Sequence, residues 1–567
     1  MKQQLASGSA AAVPSAPSGR LARISDWVDA RRPWEVAGGL VLLVFLVYWP
    51  VLAGGQRLDD EFYMTPPGLR NWHGLWLIWR DVSATPQYYP LTHTVLWIEN
   101  QLWGTSTTAP HLVNMLLHGA AAFLLWRLLR RLAIPGALFA AALFVIHPIH
   151  VESAAWISEQ KNTLSAIFYL QAAWWYLDFD ETRSPRTFGA ALLAFVAGLL
   201  CKSVIATLPG AILVVCWWRS GRLSMRRDVL PSVPFWLVGI GMGTVTSWIE
   251  AHAVGAHGAN FDFSAPERIL IAGRAVCFYV GKLLLPVNLM LFYPRWHLDP
   301  GQWWQWLYPL AVITVLGLAL WRRWWGALVA GLLFVGGLAP ALGFVNVAPF
   351  IFSFVANHYA YVANMALLAL LAAGFARLWG AGRSKRAPVA AAIALIWSAG
   401  LIVLARAQAD LWGADPVALY RDTVERNPEA WRAEENWAMV LLAQGDSAEA
   451  LPHFLVVLSK YPDLADAQLA TAGLLYGQGR FAESIAHFQK TLAMTPEDPK
   501  AHFNFAAALV AAGDTAHASA EFEDAGRLGA ASLEMQDRLT QVFTMIGDTA
   551  RAARAGTRAR ELRSGMP

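Results

Sequence analysis

The 567-residue chain is 56% hydrophobic and only 15% charged, whereas soluble globular domains run nearer 25% charged. This composition points to a membrane protein and excludes a disordered chain, a disulfide scaffold and a wholly soluble enzyme. Net charge is +4, from 44 basic and 40 acidic residues, too small to imply nucleic acid, and Cys201, Cys216 and Cys277 lie in apolar stretches without a zinc pattern.

Residues 1–35 open with an Ala/Ser/Pro-rich stretch and read as a disordered cytoplasmic tail. The first apolar run starts near residue 36, too far in for an ordinary signal peptide, and is expected as the first membrane helix. Runs long enough to span follow near 110–131, 134–151, 162–179, 187–203, 204–218, 231–249, 303–320, 324–344, 357–379 and 388–406, eleven in all. A further candidate, 267–287, carries Arg268, Arg274 and Lys282, a charge density that is costly in lipid. If that segment does not cross, then Arg20/Arg23/Arg31/Arg32, Arg127/Arg130/Arg131, Arg219/Arg222/Arg226/Arg227, Arg322/Arg323 and Arg377/Arg383/Lys385/Arg386 all fall on one side. The positive-inside rule therefore favours eleven spans over 36–406, with 267–287 re-entrant or interfacial. The 28 tryptophans fit interface anchoring.

From residue 407 the chain becomes charged and Ala-rich with an internal repeat. Gly445, Gly479, Gly513 and Gly547 are each 34 residues apart, as are Pro428, Pro462 and Pro496, and Phe454, Phe488 and Phe522. That period, with Gly in the inter-helix turn and Pro after the second helix, is the tetratricopeptide (TPR) pattern, here about four repeats with a degenerate last one as cap. The predicted fold is all-α: a polytopic helical membrane domain followed by a TPR α-solenoid. An odd number of spans sets the solenoid across the membrane from the N-terminus.

Polar residues inside the apolar half carry the functional signal, because the bilayer makes them expensive. Asp59, Asp60 and Glu61 follow the first span; mutual repulsion suits a general base or a metal site, and a solvated loop start is the plain alternative. His93 follows in Tyr88-Tyr89-Pro90-Leu91-Thr92-His93. His111, Asn114 and His118 share one face of the second span, where packing hydrogen bonds are an equal explanation. His147, His150 and Glu152 end the third span, but Pro148 breaks helical spacing and argues against zinc. Lys161 and Lys202 stand at span ends, placed either to neutralise a phosphate or to snorkel. Arg268, Arg274 and Arg295, and then Asn357-His358-Tyr359, complete five elements on one membrane face.

In order, LDDEF, YYPLT…HLVNMLLH, HPIHVESAAWISEQKN, CKSVIATLP, YVGKLLLPVNLMLFYP, NHYAY and the TPRs resemble bacterial relatives of the transmembrane and TPR-containing O-mannosyltransferases, across residues 36–567. The resemblance implies a GT-C glycosyltransferase fold and a polyprenyl-phosphate-linked sugar donor, the family's sugar being mannose. It further implies a protein or glycan acceptor, a periplasmic site in a bacterial inner membrane, a cytoplasmic N-terminus and periplasmic TPRs. Asp59 or Asp60 then supplies the base, with Glu61, His93, His111, Asn114, His118, His147, His150 and Glu152 as supporting acid or polar groups. Lys161, Lys202, Arg268, Arg274, Arg295, His358 and Tyr359 supply the phosphate site. No cofactor or resident metal is required, although Asp59/Asp60/Glu61 offer a place for a divalent cation. Other partners are membrane lipids and proteins in the TPR groove. Two departures stand out: many bacterial relatives carry Asp-Arg where this chain has Asn357-His358, and Arg where it has Gln160. The competing expectation is a non-catalytic membrane-anchored TPR scaffold for an envelope complex.

Overall fold

The computed structural model describes residues 32–252, 256–380 and 386–564. The N-terminal tail to residue 31, with Arg20, Arg23 and Arg31, and the basic pair Arg383/Lys385 lie outside the described residues. The protein is 79% helix, and the described residues include no strand. It divides into two compact units that meet between Leu419 and Tyr420.

The first unit opens with α1 (Pro33–Ala53). Three short helices follow: α2 (Asp60–Tyr63), α3 (Trp72–Arg80) and α4 (Pro90–Trp103). Next come α5 (Thr108–Arg131), α6 (Ala137–Ile146), α7 (Val151–Ala155), α8 (Gln160–Thr182), α9 (Pro185–Leu199), α10 (Leu208–Ser220) and α11 (Leu230–His252). The unit finishes with α12 (Ala265–Leu284), α13 (Leu307–Trp321), α14 (Trp325–Leu338), α15 (Asn364–Gly380) and α16 (Arg386–Gly413). Among the described residues six helices can cross a bilayer by length and composition, and the pair α6–α7, bent by 59° at the His147-Pro148 break, makes a seventh. Pro148 causes that bend, since its ring cannot continue a helix. α9, α14 and α15 are shorter apolar helices, and α8 is long but carries Lys161, Asp178, Asp180 and Glu181. Every run expected from hydropathy is helical. The basic segment at 267–287 forms one unbroken helix, α12, so it makes no re-entrant turn. Gly273 lets α13 approach it, because a Cβ there would meet Pro309 N at 2.4 Å.

The unit has two chemically distinct ends. At one, Arg131 pairs with Asp178 and Glu181 at 2.7 and 2.9 Å, Arg219 pairs with Glu181 at 3.0 Å, and Arg183 pairs with Asp180 at 2.6 Å. Arg127 and Arg131 stack over Trp174. The other end holds the first turn of α8 and the loop at 54–60. Twenty helical residues separate these ends along α8, about 30 Å and so one bilayer core.

In the second unit, helix pairs Trp431–Ala443/Ser447–Lys460, Ala465–Gly477/Phe481–Met494, Pro499–Ala511/Thr515–Leu528 and Leu533–Met545/Thr549–Ser564 follow one another. Gly445, Gly479, Gly513 and Gly547 turn each pair at φ between 75° and 90°, a conformation that costs a residue with a Cβ but not Gly. Phe488, Phe503, Phe522 and Phe543 form a continuous core between repeats.

Candidate functional site

The α1–α2 loop and the α7–α8 loop are tied together by a carboxylate. Asp60 is fully buried, and its two oxygens accept the backbone N–H groups of Arg57 at 2.9 Å and Ser158 at 2.8 Å. Burial lifts its carboxyl to about 7 against these two donors. Asp59 precedes it, half-buried, where its charge acts on Lys161 and Tyr63. Glu61 faces solvent. The acidic triplet therefore separates into three environments.

Lys161 and Lys202 meet on Glu159, a buried residue that the sequence reading did not include in the site. Glu159 Oε1 is 3.0 Å from Lys161 Nζ, and Oε2 is 3.0 Å from Lys202 Nζ. Asn162 donates to Oε2 at 2.6 Å, and His358 Nε2 lies 3.9 Å from Oε1. Burial opposes the charge of Glu159, but His358, Lys161 and Lys202 outweigh it and hold the carboxyl far below its usual range. Burial lowers the Lys202 ammonium to about 8, with Glu159 opposing. Lys161 also donates to Tyr63 OH at 3.1 Å, and the phenol donates to Gln87 Oε1, whose amide nitrogen in turn donates to Glu250 at the end of α11.

The segment at 357–359 faces this cluster. His358 Nδ1 hydrogen-bonds Glu152, and Asn357 donates to Glu152 at 2.9 Å while accepting from Tyr293 OH at 2.7 Å. Where the family resemblance leads one to look for Asp-Arg, Asn357-His358 still contacts two acids. The Tyr359 hydroxyl is buried among Glu250, Glu159, Glu152 and Lys161 with no hydrogen-bond partner.

The remaining expected site residues make contacts of their own. His93 stacks on Tyr63 beneath the cluster. Burial lowers its imidazole to about 3, Lys161 adding to the effect. His111 bonds Gly54 O, while Asn114 clips the α7–α8 loop through Ser153 O and Trp156 O. His118 bonds Tyr361 OH at 2.7 Å, His150 bonds Phe144 O and Asn364, and His147 bonds Leu283 O. The two histidines of HPIH are thus committed to carbonyls and an amide. Arg268 bonds Phe263 O and Gly343 O, Arg274 stacks on Trp296, and Arg295 donates to Asn260 O. The geometry gathers Asp59, Asp60, Glu152, Lys161, Lys202, His358 and Tyr359, and sets Arg268 and Arg274 in other contacts. Among the described residues one set of three potential metal ligands lies within 4.8 Å, Asp180, Cys216 and Asp228, at the opposite end of α8, where Asp180 is bound by three arginines.

An acid and two lysines at one end of a polytopic helical bundle, joined in one chain to a TPR array, define a multi-pass membrane protein with a charged site at one face. Sequence comparison agrees. Residues 85–248 match the dolichyl-phosphate-mannose-protein mannosyltransferase family, and residues 417–465, 435–499 and 475–537 match tetratricopeptide repeats. Protein O-mannosyl-transferase Tmtc1 of Drosophila melanogaster is 30% identical over 30% of this chain and 22% of its own. Protein O-mannosyl-transferase Tmtc2 of the same organism is 36% identical over 21% of this chain and 14% of its own. Protein O-mannosyl-transferase F38B6.6 of Caenorhabditis elegans is 29% identical over 31% of this chain and 27% of its own. The matched stretches span less than a third of each curated relative. Over part of its length the chain is thus similar to the transmembrane and TPR-containing O-mannosyltransferases.

Proposed function

We propose that the protein is an integral-membrane glycosyltransferase that moves a sugar, mannose by family likeness, from a polyprenyl-phosphate carrier to a hydroxyl of a protein acceptor. The observation that carries this reading is the half-buried Asp59 beside the Lys161–Glu159–Lys202 cluster. Asp59 is the base: the acceptor oxygen attacks the anomeric carbon, its proton passes to the Asp59 carboxylate, and the bond from that carbon to the phosphate oxygen breaks. Each lysine ammonium has three donors, so Lys161 and Lys202 keep donors for the departing phosphate while Glu159 fixes their positions. His358 and the Tyr359 hydroxyl complete the anion site. Asp60 is a positioning residue whose carboxylate holds the base loop against the α7–α8 loop. The site lies on the periplasmic face of the inner membrane, and the TPR unit binds the acceptor or a partner protein in its groove.

The test compares envelope glycoproteins in a deletion strain complemented with wild type, Asp59→Asn or Lys202→Gln. Loss of a glycoprotein set on deletion, restored by wild type but by neither variant at equal expression, is the expected result. Full restoration by Asp59→Asn removes the assigned base. An unchanged profile on deletion favours the scaffold reading, because the TPR unit is all that such a role needs.

A further inference from the structure

Among the described residues an apolar cavity of about 200 Å³ opens between α5, α8, α10, α14 and α15. Its walls include Leu129, Ile212, Val329 and Ala366, and Arg377 is its one charged lining residue. Its walls run along the helices between the two ends of the membrane unit. On α8 the wall runs from Tyr169 to Leu177, more than two turns past Lys161, and on α10 it runs from Leu208 to Trp218, next to Arg219. From Val362, three residues past Tyr359, the wall continues along α15 to Arg377, so the cavity reaches from near the transfer site to the arginine end, where its one charged lining residue lies.

A hydrocarbon-lined void at bilayer depth gives water no partners, so what fills it must be apolar. The charge at its mouth selects the head group. Arg377 is exposed at the same end as Arg131 and Arg219, and basic groups at a membrane surface draw anionic lipid heads. We infer that this cavity is a binding site for one acyl chain of an anionic glycerophospholipid from the leaflet opposite the transfer site, with its phosphate on Arg377. The donor's phosphate belongs at Lys161 and Lys202, whereas the cavity's one charge, Arg377, lies at the arginine end. The inference does not depend on the proposed transferase activity.

Full-length protein in detergent, stripped of lipid, is titrated with dioleoylphosphatidylglycerol, dioleoylphosphatidylethanolamine or undecaprenyl phosphate, and bound lipid is counted by native mass spectrometry. Wild type is expected to retain one phosphatidylglycerol with at least tenfold preference over phosphatidylethanolamine. Ala366→Trp, which fills the cavity, should lose that molecule. Arg377→Gln, an exposed change that leaves the fold alone, should abolish the head-group preference, and Arg377→Lys should keep most of it. Retention of phosphatidylglycerol in Ala366→Trp at the wild-type melting temperature overturns the proposal, as does an undiminished preference in Arg377→Gln. Displacement of the phospholipid by undecaprenyl phosphate overturns it as well, since the cavity would then belong to the donor.

Discussion

Asp59 and Asp60 are adjacent in sequence yet face different tasks, and substitution separates them. In Asp60→Asn the amide nitrogen must face one of the two backbone N–H groups that the carboxylate now accepts. An unsatisfied buried donor costs about 1–3 kcal/mol, so a melting scan should show clear destabilisation. Asp59→Asn should melt as wild type, because its side chain closes no loop; equal melting losses in both variants would erase the distinction. Glu99 offers a pH test. It is buried on α4, outside the spans, with the neutral Gln160 amide 3.2 Å from both oxygens. Burial lifts its carboxyl from 4.5 to about 7, Gln160 opposing. The folded state holds the proton more tightly than the unfolded chain, so its stabilising contribution is complete below pH 4.5 and is lost as pH rises through 7. Glu99→Gln should therefore melt close to wild type at pH 4 and be more stable at pH 8, by roughly 2–3 kcal/mol. The same gain at both pH values would contradict the assignment. Sequence alone shows acids and lysines at span ends but not who faces whom. Glu159 looks like one more loop acid until folding places two ammonium groups on it.

At the scale of elements, the 34-residue period and the apolar runs were legible because each depends only on local spacing. The polar layer inside the TPR pairs was not, since it uses different residues in each repeat. Glu434 meets His453, Gln468 meets His487, and His502 meets Glu521, always nineteen residues apart. The acid lies on the first helix in one repeat and on the second in another, so the position is conserved as a pair and not as a residue type. His502 also bonds Pro496 O at 3.0 Å. Glu521→Ala removes a charge-assisted partner and should raise hydrogen exchange in Pro499–Ala511 and Thr515–Leu528, about 1 kcal/mol of local stability. The double exchange His502→Glu with Glu521→His rebuilds the pair but leaves Pro496 O unbonded, so its exchange rates should fall between the two. Rates no better than Glu521→Ala would show that the pair contributes nothing. The basic segment α12 was half legible: its charges warned against lipid, while its unbroken helical form depends on close packing at Gly273 that spacing does not reveal.

At the scale of the molecule, the helices of the membrane unit run back and forth between its two ends. α5 starts at the site end, where His111 meets Gly54, and finishes with Arg131 at the arginine end. α11 leaves Asp228 beside the arginines and delivers Glu250 to Gln87 at the site end. α13 sets out from Pro309 against Gly273 and finishes at Arg322, followed by Trp325, which packs on Trp217 next to Arg219. The stretch between α11 and α13 therefore begins and ends at the site end, whatever angle α12 takes to the membrane. α15 returns to Arg377, and α16 comes back to the site end, where Arg57 donates to the carbonyls of Trp412 and Ala414 at 3.0 and 2.5 Å. Arginine clusters stay cytoplasmic during insertion, so the chain that follows Ala414 should emerge on the periplasmic face together with Asp59. Alkaline phosphatase, active only outside the cytoplasm, fused after Ala414 should be active, and the same reporter fused after Arg222 should be silent. Activity at Arg222 with silence at Ala414 would invert the molecule and put both the transfer site and the TPR unit in the cytoplasm. Activity at neither would break the alternation of helices between the two ends, and with it the placement of acceptor binding and transfer on one face.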